Sequence, residues 1–378
     1  MPLQPPAITG APFSEIDTPA LLIDLDAFER NLDAMAEACR GLGVSLRPHA
    51  KTHKSPLVAA KQIARGAVGI CCQKLAEAEV FVECGIGDVL ITNEIVAPRK
   101  LERLARLARH ARAGVCADNA AAIDALAAAA NRAGSRVRVW VEIDVGQRRC
   151  GVAPGQDAVE LAGKIACHSS LTFGGLQAYY GSAQHLRTPA ERRAAIISAQ
   201  DLAAGTVRLL AEAGFDCPAV GGGGTGTYEL EGATGVWTEL QPGSYIFMDA
   251  DYAKNQLDTD RAGPAFEHAL FVLTSAMSLA AGRAVVDAGH KALSNDSGFP
   301  AVFGMSEVKY GQPSDEHGVL DLTASSWKPV LGEKVLLIPG HCDPTVNLYD
   351  WYVGVRHFGT PDAHVETVWP VAARGAVT

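Results

Sequence analysis

The sequence predicts an α/β fold, a (β/α)8 TIM-type barrel with an appended β domain, and three observations predict it. From about residue 44 to Asp251, eight short β-rich apolar runs alternate with loops and alanine-rich amphipathic segments, which suits a closed barrel better than an open sheet. After Asp251 the runs are strand-like and long helical stretches are absent. The opening "TPALLIDLD" is a further β run ahead of the barrel, free to pair with the C-terminal strands so that the chain begins and ends in one place. The expected division is a barrel over residues 26–252, with residues 1–25 and 253–378 forming the β domain.

In chain order, an amphipathic helix at about residues 26–42 follows the opening run. The barrel runs are "VSLRPHA", "VGICCQ", "DVLITNE", "AGVCADN", "VRVWVEIDVG", "FGGLQAYYGS", "CPAVGGGG" and "TELQPGSYIFMD". Between them, "SPLVAAKQIARGA" and "NAAAIDALAAAANRAG" read as helices, the second capped by Asn119 and closed by Gly134. Beyond the barrel, "FEHALFVLTSAMSL", "RAVVDAG", "EKVLLIPGH", "DWYVGVR" and "HVETVWPV" are the expected strands of the β domain.

A chain of 378 residues, 48% hydrophobic and 20% charged, can bury a substantial core, and its net charge of -9 argues against a nucleic-acid backbone as main partner. The first residues lack the basic start and apolar run of a signal peptide. With no uninterrupted span of about 18 apolar residues, a cytoplasmic protein without a membrane partner is expected. Nine cysteines without repeated CxxC spacing form no disulfide framework and read mostly as reduced core residues, and Cys71 and Cys72, inside an apolar run, as inert.

Barrel chemistry sits where strands end, so the unusual residues at the carboxyl ends of the runs are the candidates: Lys51, Gln73, Asn93, Arg149, Tyr179, His185 and the glycine cluster. In "LRPHAKTHKSP", Lys51 is flanked by Arg47, His49, His53 and Lys54. Neighbouring cations would lower its pKa and leave an amine able to form a Schiff base; an exposed basic loop is the other reading. "VGGGGTGT", residues 220–227, offers glycine backbone and hydroxyls to an anion, where barrels often place a phosphate, or else forms a flexible turn. It matches neither GxGxxG nor GxxxxGK[ST], so no nucleotide follows. A lysine with a phosphate cradle suggests pyridoxal 5'-phosphate.

In "PGHCDPTVNLYDW", His341 and Asp343 would project to one side of an extended chain and could share a divalent cation; a turn with a buried histidine is the alternative. Arg149 could donate to a cofactor ring oxygen or pair with a surface carboxylate. His185 could be an acid or base or a structural histidine. Asp315, Glu316 and His317 read as a polar turn.

Taken together and in order, "RPHAKTHKSP", "GICCQK", "GQRRCGV", "GLQAYYGS", "GGGGTGTYE", "ELQPGSYIFMD", "DEHG" and "PGHCDPT" resemble the D-threonine aldolase and 3-hydroxy-D-aspartate aldolase family, from about residue 17 to the carboxyl end. That resemblance implies a pyridoxal-phosphate barrel with an appended β domain, related to alanine racemase and D-serine dehydratases. It implies that Lys51 holds the cofactor as a Schiff base, that Arg149 contacts its ring, and that Gly222, Gly223, Gly224, Thr225 and Gly226 hold its phosphate. Gln73, Tyr179, Gly243, Ser244 and Tyr245 complete the expected cofactor-binding set. His341 and Asp343 would bind manganese or magnesium ahead of zinc, since a carboxylate stands where related dehydratases carry a cysteine. Relatives often have histidine where this chain has Tyr349, so the substrate preference here can differ.

The implied reaction is retro-aldol cleavage of a D-3-hydroxy amino acid, of the D-threonine or 3-hydroxy-D-aspartate type, to glycine and an aldehyde, with Lys51 and His185 as the catalytic candidates. A homodimer is compatible with the resemblance. Three other readings stay open: a dehydratase of the same fold, a non-catalytic pyridoxal-phosphate carrier, and a metal-dependent barrel hydrolase.

Overall fold

The computed structural model describes residues 4–257 and 266–378; residues 1–3 and 258–265, assigned to the β domain on sequence, lie outside the described residues. The chain opens with β1 (Ala20–Asp24) and α1 (Leu25–Leu42). Asp24 starts the helix by accepting from the backbone N–H groups of Asp26 and Ala27, and Gly43, at φ 69°, ends it in the left-handed region.

The barrel alternates β2 (Ser45–Leu46), α2 (Pro56–Ala64), β3 (Ile70–Cys72), α3 (Leu75–Glu83), β4 (Asp88–Glu94), α4 (Pro98–Leu107), β5 (Arg112–Ala117) and α5 (Ala120–Ala133). It continues with β6 (Val137–Glu142), α6 (Gln156–Ala166), β7 (Leu171–Gln177), α7 (Pro189–Glu212), β8 (Val220–Gly222), α8 (Tyr228–Gly232) and β9 (Glu239–Leu240). All eight expected runs contain a strand, in the parallel order β2-β9-β8-β7-β6-β5-β4-β3. Backbone bonds from Cys71 N to Pro48 O (2.9 Å) and from Ala50 N to Cys71 O (2.8 Å) join β3 to the segment after β2 and close the sheet on itself. α5 has the expected boundaries, with Asn119 accepting from Ala121 and Ala122 and Gly134 in the left-handed region.

Alternation decides what each barrel strand buries. Ile70, Cys72, Val89 and Ile91 join the large core under the helices, while Cys71, Leu90, Cys116 and Trp140 pack together separately inside the barrel. Trp140 fits because Gly114 and Gly174 face it: a Cβ at these positions would lie 2.5 Å and 2.7 Å from its ring. α7 has the length and hydropathy of a membrane span; here it packs on α6 and α8, burying Ile196, Ala199, Ala203 and Leu210 and leaving Ile197, Leu202 and Leu209 exposed.

The second sheet uses β10 (Leu270–Ala280), β11 (Arg283–Val286), β12 (Ala301–Val302), β13 (Lys309–Tyr310), β14 (Gly318–Asp321), β15 (Lys334–Ile338), β16 (Trp351–Arg356) and β17 (His364–Pro370), with α9 (Cys342–Val346) between β15 and β16. Its order is β11-β14-β13-β12-β15-β10-β1-β16-β17. β1 runs antiparallel to β10 and parallel to β16, as expected for an N-terminal strand completing the C-terminal sheet.

Arg47, expected beside Lys51, turns the other way, toward the end of the barrel where strands begin. Its guanidinium lies 2.7 Å from Asp88 and 2.9 Å from Glu239, and Arg138 reaches Asp88 at 2.5 Å. Arg47 and Glu239 are buried, so removing the cation leaves a carboxylate without its counter-charge. Arg47→Leu is expected to lower stability by about 3–5 kcal/mol, read from urea unfolding of the purified protein.

Candidate active site

A cavity of about 280 Å³ opens at the carboxyl ends of the barrel strands. Of the expected residues, Lys51, Gln73, Arg149 and Tyr179 line one part of it, and Gly224, Thr225, Gly243 and Ser244 another. Six residues not in the expected set complete the wall: His49, Thr52, Thr92, Gln177, Gln241 and Tyr252. Thr92 and Gln177 lie at strand ends, so position alone could have found them. The Gln241 and Tyr252 positions depend on turns after β9 that carry no periodic signal.

Lys51 follows β2 in a turn whose backbone is pinned by a bond from its N–H to His49 Nδ1 (3.3 Å). Its side chain is 43% exposed, and its Nζ lies 3.2 Å from Asp343 Oδ2. The expectation that a ring of cations depresses the Lys51 pKa fails. Arg47 is committed to Asp88 and Glu239, and Lys54 pairs with Glu77. Burial drives His49 and His53 down to about 3, so both are neutral. The dominant charge facing Lys51 is the Asp343 carboxylate, which raises its pKa. Gln73 serves the cavity wall through His49: His49 Nε2 lies 3.0 Å from Gln73 Oε1 and 2.9 Å from Thr92 Oγ1.

The glycine run divides by role. Gly224 and Thr225 reach the cavity, with the Thr225 hydroxyl accepting from the Tyr245 N–H at 3.1 Å. Gly222, Gly223 and Gly226 do not line it. A Cβ on Gly222 would lie 2.4 Å from Ala178 O, and one on Gly226 would lie 2.6 Å from Gln184 O, so these two serve close packing behind the wall. Gly223 takes φ +72°. Tyr245 is likewise a core residue whose hydroxyl accepts from Gln62 Nε2 at 3.1 Å; its backbone, not its side chain, supports Thr225.

His185 ends a 3-10 turn, Ser182–His185, and is not among the lining residues. Its Nδ1 lies 2.6 Å from Asp251 Oδ2, and its ring centroid is 5.5 Å from that of Tyr252, which does line the cavity.

His341 and Asp343 do not sit on an extended chain. His341 precedes α9 in extended conformation and Asp343 lies in the helix's first turn. The turn still brings His341 Nε2 to 3.9 Å from Asp343 Oδ1, while His341 Nδ1 is held by Asp296 Oδ2 at 2.8 Å. Burial pushes the Asp343 carboxyl up, but the charges of Lys51 and His341 outweigh it and hold the carboxyl below its usual range. Asp343 Oδ1 is buried with no hydrogen-bond partner. An ionised, buried, unpaired oxygen beside an imidazole nitrogen fits a divalent cation. Asp350 pairs with Arg374 at 3.2 Å, and the Tyr349 hydroxyl donates to Ala292 O at 2.8 Å. Asp315, Glu316 and His317 are exposed, as a polar turn should be, and burial pushes the Cys71 and Cys72 thiols well above their ordinary value.

A closed barrel with a lysine at its first strand end and a strand-exchanging β sheet defines an alanine racemase-like architecture. Residues 23–251 match the family model described as alanine racemase, N-terminal domain, and residues 269–355 the one described as putative serine dehydratase domain. The chain is 46% identical to a D-threonine aldolase of Arthrobacter sp, over 99% of this chain and 97% of that one. It is 47% identical to a 3-hydroxy-D-aspartate aldolase of Paracoccus denitrificans (strain Pd 1222), over 98% and 95%. The crystal structure of D-threonine aldolase from Filomicrobium marinum superposes with a TM-score of 0.96 at 51% identity, covering 99% of this chain and 100% of that one. The chain belongs to the D-threonine aldolase and 3-hydroxy-D-aspartate aldolase family of pyridoxal-phosphate enzymes.

Behind the Thr225 turn, the Thr227 hydroxyl donates to Glu231 Oε1 at 2.8 Å, and Glu231 Oε2 is buried without a partner. Burial raises the Glu231 carboxyl to about 7. The folded state therefore holds a proton that the unfolded chain releases above its ordinary value of 4.5, so this group's contribution to stability falls as pH rises from about 4.5 through about 7. Glu231→Gln is expected to raise the thermal midpoint at pH 8 and to flatten the slope between pH 5 and 7, measured by calorimetry at a series of pH values.

Proposed function

We propose that this enzyme cleaves D-3-hydroxy amino acids to glycine and an aldehyde by retro-aldol chemistry, using pyridoxal 5'-phosphate and a divalent cation. The observation that carries this reading is the meeting of Lys51 and Asp343 at 3.2 Å, with the second Asp343 oxygen unpaired and turned toward His341. An amine for the cofactor thus touches a hard ligand set for a cation, although His341 and Asp343 themselves are not among the cavity's lining residues.

Lys51 is the amine that would hold the cofactor aldehyde. The Thr225 and Ser244 hydroxyls, with the backbone of Gly224 and Gly243, would take its phosphate. Arg149, whose guanidinium lies 5.9 Å from the centre of the Tyr179 ring, would contact its ring. Pyridoxal phosphate, when bound, supplies a conjugated system that stores the charge left at Cα as the bond to Cβ breaks. His341 Nε2 and Asp343 Oδ1 would hold the cation, for which manganese or magnesium suits the carboxylate, and which would supply Lewis-acid stabilisation of a 3-alkoxide.

His185 takes the 3-hydroxyl proton. Its bond to Asp251 keeps a proton on Nδ1 and leaves Nε2 with a lone pair. The Tyr252 ring, 5.5 Å from this imidazole and tilted 38° to it, lines the cavity beside it. Lys51 then returns a proton to Cα.

With D-threonine or 3-hydroxy-D-aspartate plus manganese, chromatography of the products is expected to show glycine and an aldehyde; 2-oxobutyrate and ammonia from D-threonine would instead mark a dehydratase. His341→Ala is expected to abolish cleavage while keeping the visible absorbance of the lysine-bound cofactor, which Lys51→Ala removes. Full cleavage by metal-stripped His341→Ala would refute the assigned role.

A further inference from the structure

The turn that carries His341 and Asp343 is clasped by a loop outside the residues assigned above. Residues 294–298 lie between β11 and β12, and they meet this turn at three points. The Ser294 N–H donates to Thr345 Oγ1 at 3.2 Å, and that fully buried hydroxyl donates to His341 O at 2.8 Å. Gly298 O rests against Gly340, where a Cβ would lie 2.1 Å from it, so a side chain just before His341 would push the loop away. Between these two points, Asp296 Oδ2 lies 2.8 Å from His341 Nδ1. The adjacent Asn295 amide turns elsewhere, to His290 Nδ1 at 2.8 Å.

The Asp296 carboxylate is itself held. Its Oδ1 accepts from Ser294 Oγ at 2.8 Å and its Oδ2 from Ser297 Oγ at 3.2 Å, so the loop presents one oxygen to the imidazole in a defined direction. With the Asp296 side chain 49% exposed, its pairing with His341 adds little to stability, and its consequence is orientation. The second torsion of a histidine is broad and two-fold, so an untethered ring would offer either nitrogen. A carboxylate only accepts; in the neutral ring Nδ1 then carries the hydrogen and Nε2 keeps its lone pair. Nε2 is the nitrogen 3.9 Å from Asp343 Oδ1, too far for a hydrogen bond, and that buried oxygen has no hydrogen-bond partner. The backbone of the same turn is fixed separately, the Cys342 N–H donating to Asp249 Oδ2 at 3.2 Å.

We propose that Asp296 is a positioning residue for the cation: it fixes the tautomer and the plane of the His341 ring, so that the Nε2 lone pair faces Asp343 Oδ1 before an ion arrives. A hydrogen bond of this kind on the far nitrogen orients a ligating histidine and raises its basicity, and its loss typically costs about 10–100-fold in metal affinity. Asp296 acts through His341. The consequence for cleavage rests on the reading of His341 and Asp343 as the cation's ligands.

The test reads metal binding and the imidazole directly. In protein loaded with pyridoxal phosphate and stripped of metal, Mn2+ uptake is followed by the electron paramagnetic resonance of the free ion. Asp296→Ala is expected to weaken the Mn2+ Kd about 10–100-fold, while keeping the visible absorbance of the lysine-bound cofactor and the thermal midpoint of the metal-free protein. Asp296→Asn keeps an oxygen that accepts from Nδ1–H and is expected to recover most of that affinity. In metal-free protein, at a pH where the ring is neutral, the 15N signals of His341 are identified by their loss in His341→Ala. They are expected to show the hydrogen on Nδ1 in the wild type and in Asp296→Asn, and a shift toward Nε2 in Asp296→Ala. The proposal is overturned if Asp296→Ala takes up Mn2+ as the wild type does, if asparagine restores no affinity, or if the tautomer ignores residue 296. A wild type that takes up no Mn2+, or no more than His341→Ala, overturns the proposed cation ligands instead, and the metal-free signals then decide the hold of Asp296 on their own.

Discussion

Lys51 sits in the turn after the barrel strand β2 and Asp343 in the helix that follows β15 of the second sheet, so the 3.2 Å contact between them exists only while the barrel and the second sheet are docked. Several bonds fix that docking next to the contact itself. The Tyr352 hydroxyl on β16 donates to His53 O at 2.7 Å, and the Ala373 N–H donates to Lys54 O at 2.9 Å. Both acceptors lie in the turn that carries Lys51. Aromatic rings continue the joint inward: Phe28, Phe247, Tyr352 and Trp369 follow one another at centroid separations of 6.2, 5.9 and 5.8 Å. Each fully buried side chain of this kind contributes about 1.5–3 kcal/mol, so the joint is stabilised by far more than the ion pair at its edge. The ion pair, in turn, reports that the joint is made.

Charge is segregated along the barrel axis. Where strands begin, Arg47, Arg138, Asp88 and Glu239 compensate one another in a closed group with stability as its consequence. Where strands end, Asp343 offers one oxygen to Lys51 and the other to the His341 side, and remains incompletely satisfied. A buried oxygen left unpaired is costly in a folded protein unless a ligand completes it. The two ends of one barrel thus show the difference between electrostatics that holds a fold and electrostatics that awaits a guest.

Much of this was legible in the chain because it is local. Strand-end position picked out Lys51, Gln73, Arg149 and Tyr179, which line the cavity, and also Asn93 and His185, which do not; His341 and Asp343, singled out together in the sequence, are brought to 3.9 Å by the turn at residues 339–343. β12 and β13 escaped because two residues carry no periodicity, and β14 because its four residues lie among turns. The charge reading of "RPHAKTHK" failed for a different reason: the partners of Arg47 and Lys54 are Asp88, Glu239 and Glu77, distant in sequence. A cluster of cations in sequence is a cluster in space only if the fold leaves the side chains pointing together. The same limit applies to the glycines, where a run that looks uniform splits into two cavity-facing residues' support and separate packing positions once Ala178 and Gln184 are in place.

The segment from Asp249 to Asn255 explains how a loop-built site keeps its geometry. Asp249 accepts from the Tyr252 N–H at 2.9 Å and from the Cys342 N–H at 3.2 Å, so it ties the ligand-bearing turn to the cavity wall. Asp251, two residues on, holds His185 at 2.6 Å and also pairs with Arg187. Asn255 accepts from Arg187 at 2.7 Å and donates to Gln184 O at 2.8 Å, next to the glycine turn. The imidazole, the proposed cation ligands and the proposed phosphate cradle are therefore referenced to one stretch of seven residues that leaves the barrel after its last strand. Loops gain the precision of regular elements only when their polar groups are bonded in this way, because a misplacement of about 1 Å is enough to cost about 100-fold in rate. A shift at Asp249 would move His341 and Tyr252 together, and their separation from Lys51 would change as a unit.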